Sequence, residues 1–140
     1  MRALLLENLH PEATRILTTA GFEVENRVGA MDETELIGSL QGVHLLGIRS
    51  KTEVTEQVIK EAPDLVAIGA FCIGTNQIAL DAAAQVGVAA FNAPFSNTRS
   101  VVELAMAEII VMARRLTEKD RALHEGVWQK SAKGSHEIRG

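Results

Sequence analysis

The chain is 140 residues long, 46% hydrophobic and only 4% aromatic, with a formal net charge of −4. That length suits one domain with a real core, and a mean hydropathy of +0.09 fits a globular chain. The acidic balance and scarcity of aromatic rings exclude a general affinity for nucleic acid, and the most apolar stretch, residues 101–113, carries Glu103 and Glu108 and is too short for a bilayer.

Two periodicities alternate along the first hundred residues. An apolar run at residues 2–7, centred on Leu4, Leu5 and Leu6, reads as a first strand. Pro11 suits a first helical position, and the helix it opens stops at Gly21. Residues 22–26 read as a second strand, and Asp32 with Glu35 three residues on makes a capping box for a short helix. A third strand is predicted at 43–48 with a helix over 55–62, a fourth at 65–69 with a helix over 78–86 closed by Gly87, and a fifth at 88–91. Short, continuously apolar strands that each lead into a helix predict a parallel sheet covered on both faces. The expected fold is α/β: a doubly wound, mostly parallel five-stranded sheet of flavodoxin-like type, with strand order 2-1-3-4-5.

The rhythm then breaks. Ser100 and Glu103 form a second capping box, and the helix behind it runs to about Leu116. Val102, Ala105, Met106, Ile109, Met112 and Leu116 make one stripe, yet Val101, Leu104, Ile110 and Val111 lie outside it. A helix apolar over most of its circumference needs burial on several sides, which one sheet does not give. From Thr117 on the chain is a polar arm with Val127 and Trp128 as isolated apolar anchors.

Ligands of a doubly wound sheet sit beyond the carboxyl ends of its strands. The loop after the third strand begins Arg49-Ser50-Lys51-Thr52, that after the fourth is Phe71-Cys72-Ile73-Gly74-Thr75-Asn76, and that after the fifth runs from Asn92 to Ser100. An acidic chain thus gathers Arg49, Lys51 and Arg99 on one rim, where helix N-termini also offer free N–H groups. This composition predicts an anion site that holds a carboxylate and a phosphate by charge-assisted hydrogen bonds. The alternative is that these cations are solvated loop residues.

Other chemistries find no support. Gly69, Gly74 and Thr75 are spaced like part of a P-loop, but no Lys precedes the hydroxyl residue. No two glycines are two apart, so G-x-G-x-x-G is absent. A phosphorylatable receiver domain needs an Asp where the third strand here ends in Ile48 and Arg49. Cys72 has no His near it in sequence and reads as a small buried core residue. His44 reads as a structural residue inside a strand, His124 and His136 as solvated, and the four histidines, His10 included, show no metal-ligand spacing. A lone cysteine, with no signal sequence at the amino terminus, points to a reducing cytoplasm.

The same loops carry a family likeness. Residues 47–59 (GIRSKTEVTEQVI), 65–88 (LVAIGAFCIGTNQIALDAAAQVGV) and 91–110 (FNAPFSNTRSVVELAMAEII) resemble the amino-terminal lobe of the D-2-hydroxyacid dehydrogenases. The likeness continues into residues 126–140 (GVWQKSAKGSHEIRG), which resemble the arm leading to the coenzyme domain. It implies a substrate-binding lobe over residues 1–97, and a connector helix and arm over 98–140 that lead to an NAD-binding domain beyond the chain. The resemblance further implies that no catalytic side chain lies in these residues. Substrate contacts would come from the backbone of Ile73 and Gly74, from Arg49 and Ser50, and from Asn97, with Lys51 and Arg99 as additional anion contacts. The implied partner is a small phosphorylated 2-hydroxy acid; NAD serves the full-length enzyme and is not expected on these residues alone. Self-association is expected through the helix at 100–116. Two other readings are a sister dehydrogenase of the family and a non-catalytic anion-binding or interaction module of the same fold.

Overall fold

The computed structural model describes residues 1–128 and 130–139. Two compact units emerge, Met1–Ser96 and a second from Asn97 onward.

The first unit alternates strand and helix. Strand β1 (Arg2–Leu5) leads to α1 (Pro11–Thr19), β2 (Glu23–Asn26) to α2 (Glu33–Ser39), β3 (Leu45–Ile48) to α3 (Glu56–Lys60), and β4 (Ala67–Ala70) to α4 (Leu80–Val86) and β5 (Ala89–Asn92). All pairings are parallel in the order β2-β1-β3-β4-β5, as the strand-helix rhythm predicted. The first four strands are each one or two residues shorter than predicted and β5 is shifted on by one, and His44 lies just ahead of β3, where its Nδ1 accepts from the Arg2 N–H at 3.3 Å.

Local chemistry sets the helix ends. Pro11 opens α1, and the His10 ring accepts from the Glu12 N–H at 3.2 Å. Asp32 caps α2 by accepting from the Glu35 N–H at 2.9 Å, and the Thr55 hydroxyl caps α3 by accepting from Val58. Gly87 ends α4 at φ 80°, a left-handed turn that only glycine adopts without cost.

Alternate strand residues build the core. Leu4, Leu6, Leu46, Ile48, Ile68 and Ala70 meet Leu36, Leu40, Val58 and Ala83 from the helices, all buried. Each large side chain in this set contributes roughly 1.5–3 kcal/mol by leaving water. Right-handed crossovers put α2, α3 and α4 on this face and α1 alone on the other. The opposite face buries Ala3 and Leu5 but leaves Ala89 exposed and Phe91 64% exposed. Full cover of both faces, expected from the apolar strands, therefore fails over β5, whose side chains are small except for Phe91.

The second unit departs further from expectation. Helix α5 spans Thr98–Ala113 with Asn97 at its N-cap, so Ser100 falls inside the first turn and the predicted capping box with Glu103 does not form. Arg115, at φ 53°, breaks the chain direction before α6 (Leu116–His124), a helix absent from the predicted polar arm. Residues 133–136 fold back on this junction: the His136 N–H donates to Ala113 O at 2.8 Å, Ser135 Oγ to Arg114 O, and Arg115 Nη1 to Lys133 O. Gln129 and Gly140 of the predicted arm lie outside the described residues.

Candidate functional site

The β3–α3 loop carries Arg49, Ser50 and Lys51, all exposed, at the carboxyl edge of the sheet. Its backbone is held from below by one carboxylate. Glu7 Oε1 accepts from the N–H groups of Arg49 (3.1 Å) and Thr52 (3.0 Å), and Oε2 from those of Ser50 (3.1 Å) and Lys51 (3.0 Å). Four successive N–H groups thus form a concave anion nest that the chain fills with its own side chain. Glu7 is 8% exposed, and burial alone would raise its pKa. The backbone donors of Thr52, Arg49 and Lys51 overcome that penalty and hold the carboxyl below its usual range.

The carbonyl side of the loop is held as well. Gln77 Nε2 donates to Arg49 O at 2.7 Å, while Val54 bridges to residues 77–79 through Val54 N–H to Gln77 O and Ala79 N–H to Val54 O. Cys72 Sγ lies 3.4 Å from Arg49 O, 3.3 Å from Gly74 O and 3.3 Å from Gln77 Nε2, which joins the β3–α3 and β4–α4 loops. Cys72 is thus half-buried: it packs against the core, as expected from sequence, but is not fully buried and also makes polar contacts. At the next strand end, Asn92 Nδ2 donates to Ile73 O at 2.8 Å and the Ala93 N–H to Cys72 O at 2.9 Å.

These contacts fix carbonyls and leave donors free. Among the described residues, the N–H groups of Ile73 and Gly74 meet no acceptor. The two neighbouring loops therefore differ: one has spent its backbone donors internally, and the other presents them. The N-terminus of α3, expected from sequence to offer the rim free N–H groups, does not do so, because α3 starts beyond Thr52 and is capped by its own Thr55.

Arg49 also borders a groove of about 460 Å³ with Asn8, Leu9, His10, Pro11 and Phe71. Asn97 and Arg99 belong to the second unit, where Asn97 makes no side-chain capping bond and Arg99 lies exposed in the first turn of α5. Sequence reasoning missed Glu7, Gln77 and Asn92. An acid that ends an unbroken apolar run at the ligand edge was the signal for the first; nothing in spacing marks the other two.

Residues 3–135 match the family described as D-isomer specific 2-hydroxyacid dehydrogenase, catalytic domain. The chain belongs to that family. Among its relatives, the D-3-phosphoglycerate dehydrogenase of Escherichia coli (strain K12) is 49% identical over all of this chain, which covers 34% of that enzyme. D-3-phosphoglycerate dehydrogenase 2 of Saccharomyces cerevisiae is also 49% identical, with 30% of its length covered. The chain spans about a third of the length of these relatives. Among solved structures, the TT0316 protein from Thermus thermophilus superposes with a TM-score of 0.79 at 26% identity, covering 94% of this chain and 42% of that one. D-lactate dehydrogenase from Aquifex aeolicus, complexed with NAD and lactic acid, gives a TM-score of 0.79 at 17% identity over 96% of this chain and 40% of that one, a likeness of fold.

Proposed function

We propose that these residues form the substrate-recognition part of an NAD-dependent D-3-phosphoglycerate dehydrogenase of the cytoplasm. Residues 1–97 serve as the substrate lobe, and 98–140 lead toward a coenzyme domain. In the reaction, 3-phosphoglycerate is oxidised at C2 to 3-phosphohydroxypyruvate for serine biosynthesis, with NAD as hydride acceptor. The observation that carries this reading is the free N–H pair of Ile73 and Gly74, tied through Cys72 and Gln77 to a loop bearing Arg49 and Ser50. The N–H pair donates to the substrate carboxylate; the Arg49 guanidinium and Ser50 hydroxyl meet the phosphate, aided by Lys51. Identity of 49% across the whole chain to enzymes of that name supports the substrate choice.

The coenzyme itself does not fit the first unit. A doubly wound sheet binds a dinucleotide's pyrophosphate at a glycine-rich first βα turn. Here that turn carries the Glu7 carboxylate and no glycine, and α1 opens with Pro11, which has no N–H to offer. Substrate recognition is the task these residues perform.

Self-association through the helix at 100–116 belongs to the same reading. Val101, Leu104, Ile110 and Met112 of α5 are each about half exposed or more.

An amide-shift titration of the isotopically labelled chain tests the proposal. Addition of 3-phosphoglycerate is expected to move Arg49, Ser50, Ile73 and Gly74, with a Kd of roughly 1 mM, about 4 kcal/mol. Arg49→Ala removes the response, and D-lactate binds more weakly. Equal binding of D-lactate would point instead to a sister enzyme, and no response in these loops would overturn the site.

A further inference from the structure

Glu7 stands out from every other acid in the chain. It is the one buried carboxylate among the described residues, and it lies in a backbone conformation that its residue type avoids. Its φ is 61° and that of Asn8 is 53°, both left-handed. Asn tolerates that region; Glu gains nothing from it locally. Such strain persists only where surrounding interactions over-determine it. Here the left-handed bend turns the carboxylate under the β3–α3 loop, where each oxygen takes two N–H donors.

A loop of four aligned N–H groups beside Arg49 and Lys51 would itself capture phosphate or carboxylate. With Glu7 in place that capture is blocked, and on this loop only the side chains of Arg49, Ser50 and Lys51 remain to recognise an anion. We propose that Glu7 is a positioning residue for substrate recognition: by filling the loop's anion nest it fixes Arg49 and Ser50 and keeps phosphate out of a competing backbone site. The inference rests on the proposed function, since it takes Arg49 and Ser50 as the phosphate contacts. Gln77 completes the clamp from the carbonyl side, with its amide on Arg49 O at 2.7 Å.

The left-handed backbone suggests a clean test. Glu7→Gly removes the carboxylate and relaxes φ, because glycine accepts a φ of 61°. Propionate then matches the deleted atoms. In the variant, the amide resonances of Arg49 to Thr52 are expected to leave their strongly hydrogen-bonded positions while those of β2 and α2 stay put. Affinity for 3-phosphoglycerate falls at least fivefold, inorganic phosphate gains a contact at these amides, and tens of millimolar propionate reverse all three changes. Glu7→Gln, which keeps the shape but not the charge, is expected to lose affinity without rescue, because its side chain still occupies the nest.

Several results would overturn the inference. One is 3-phosphoglycerate affinity within twofold of the parent in both variants. Another is propionate that restores the loop resonances but not the affinity, the mark of a merely structural acid. Unfolding of both variants without rescue by propionate would also count against it. If the parent chain itself shows no 3-phosphoglycerate response, the proposed function fails, whereas the loop resonances still report whether Glu7 holds the nest.

Discussion

Gln77 reaches 2.7 Å from the carbonyl oxygen of Arg49 with its side-chain amide and is itself only 8% exposed. One buried amide therefore sets the peptide plane from which the principal cation of the site projects. Gln77→Leu keeps the volume and deletes the donor. It is expected to cost about 1–2 kcal/mol in urea unfolding, and to weaken 3-phosphoglycerate binding more than a control substitution at exposed Gln85 does.

Gly47 pairs with Gly69 across β3 and β4, and a Cβ built on Gly47 would meet Leu5 Cδ2 at 2.5 Å, Leu9 at 3.1 Å and Phe71 at 3.3 Å. Leu5 is 1% exposed and has little room to give way. Gly47→Ala is expected to destabilise the first unit by about 1–3 kcal/mol, read as a fall in Tm of several degrees. An unchanged Tm would mean that Leu5 repacks freely.

Acid should weaken the Glu7 nest. The folded-state pKa of Glu7 lies below its usual 4.5, so its contribution to stability is fully present above 4.5 and is lost as pH falls through the lower folded-state value. Chemical unfolding of the parent and Glu7→Gln across that window should show a gap of roughly 3 kcal/mol near neutrality that shrinks on acidification. A gap independent of pH would show that charge plays no part.

The polypeptide of residues 1–140 is expected to show no NAD binding by calorimetry and no NAD reduction with 3-phosphoglycerate. Turnover above a protein-free control would refute the reading of the first βα turn.

Sedimentation at rising concentration tests the self-association of α5. A monomer-to-dimer shift by high micromolar concentration is expected, and Leu104→Glu with Ile110→Lys should abolish it, since each buried apolar side chain contributes about 1.5–3 kcal/mol. A monomer throughout would leave that helix without a partner copy.

Element types and the sheet order were legible because each segment's local preferences agreed with the fold: Pro11, Asp32, Thr55 and Gly87 mark helix ends where the structure places them. The second unit was harder to read because its decisive features are not periodic. Arg115 in a left-handed bend carries no sequence signature, and the contacts that pull residues 133–136 onto the α5–α6 junction all end on backbone carbonyls, of Ala113, Arg114 and Lys133, which belong to no residue type. The same limit applies at the site. Arg49 and Ser50 announce themselves by charge and hydroxyl, whereas the free N–H groups of Ile73 and Gly74 look alike in every sequence. The filling of the 49–52 nest by Glu7 depends on a contact between residues more than forty positions apart.

The sheet's two margins are chemically unequal. At β2 the margin is Glu23-Val24-Glu25-Asn26, with Glu25 paired to Arg27 and Arg2, and such charge discourages a foreign strand from docking. At β5 it is Ala89-Ala90-Phe91-Asn92, uncharged and exposed at all four positions. Aggregation during concentrated refolding should therefore begin at β5, by edge-to-edge pairing between chains. A single Ala90→Lys would raise the recovered yield, a gain in handling obtained at a position outside every contact made by the anion loops.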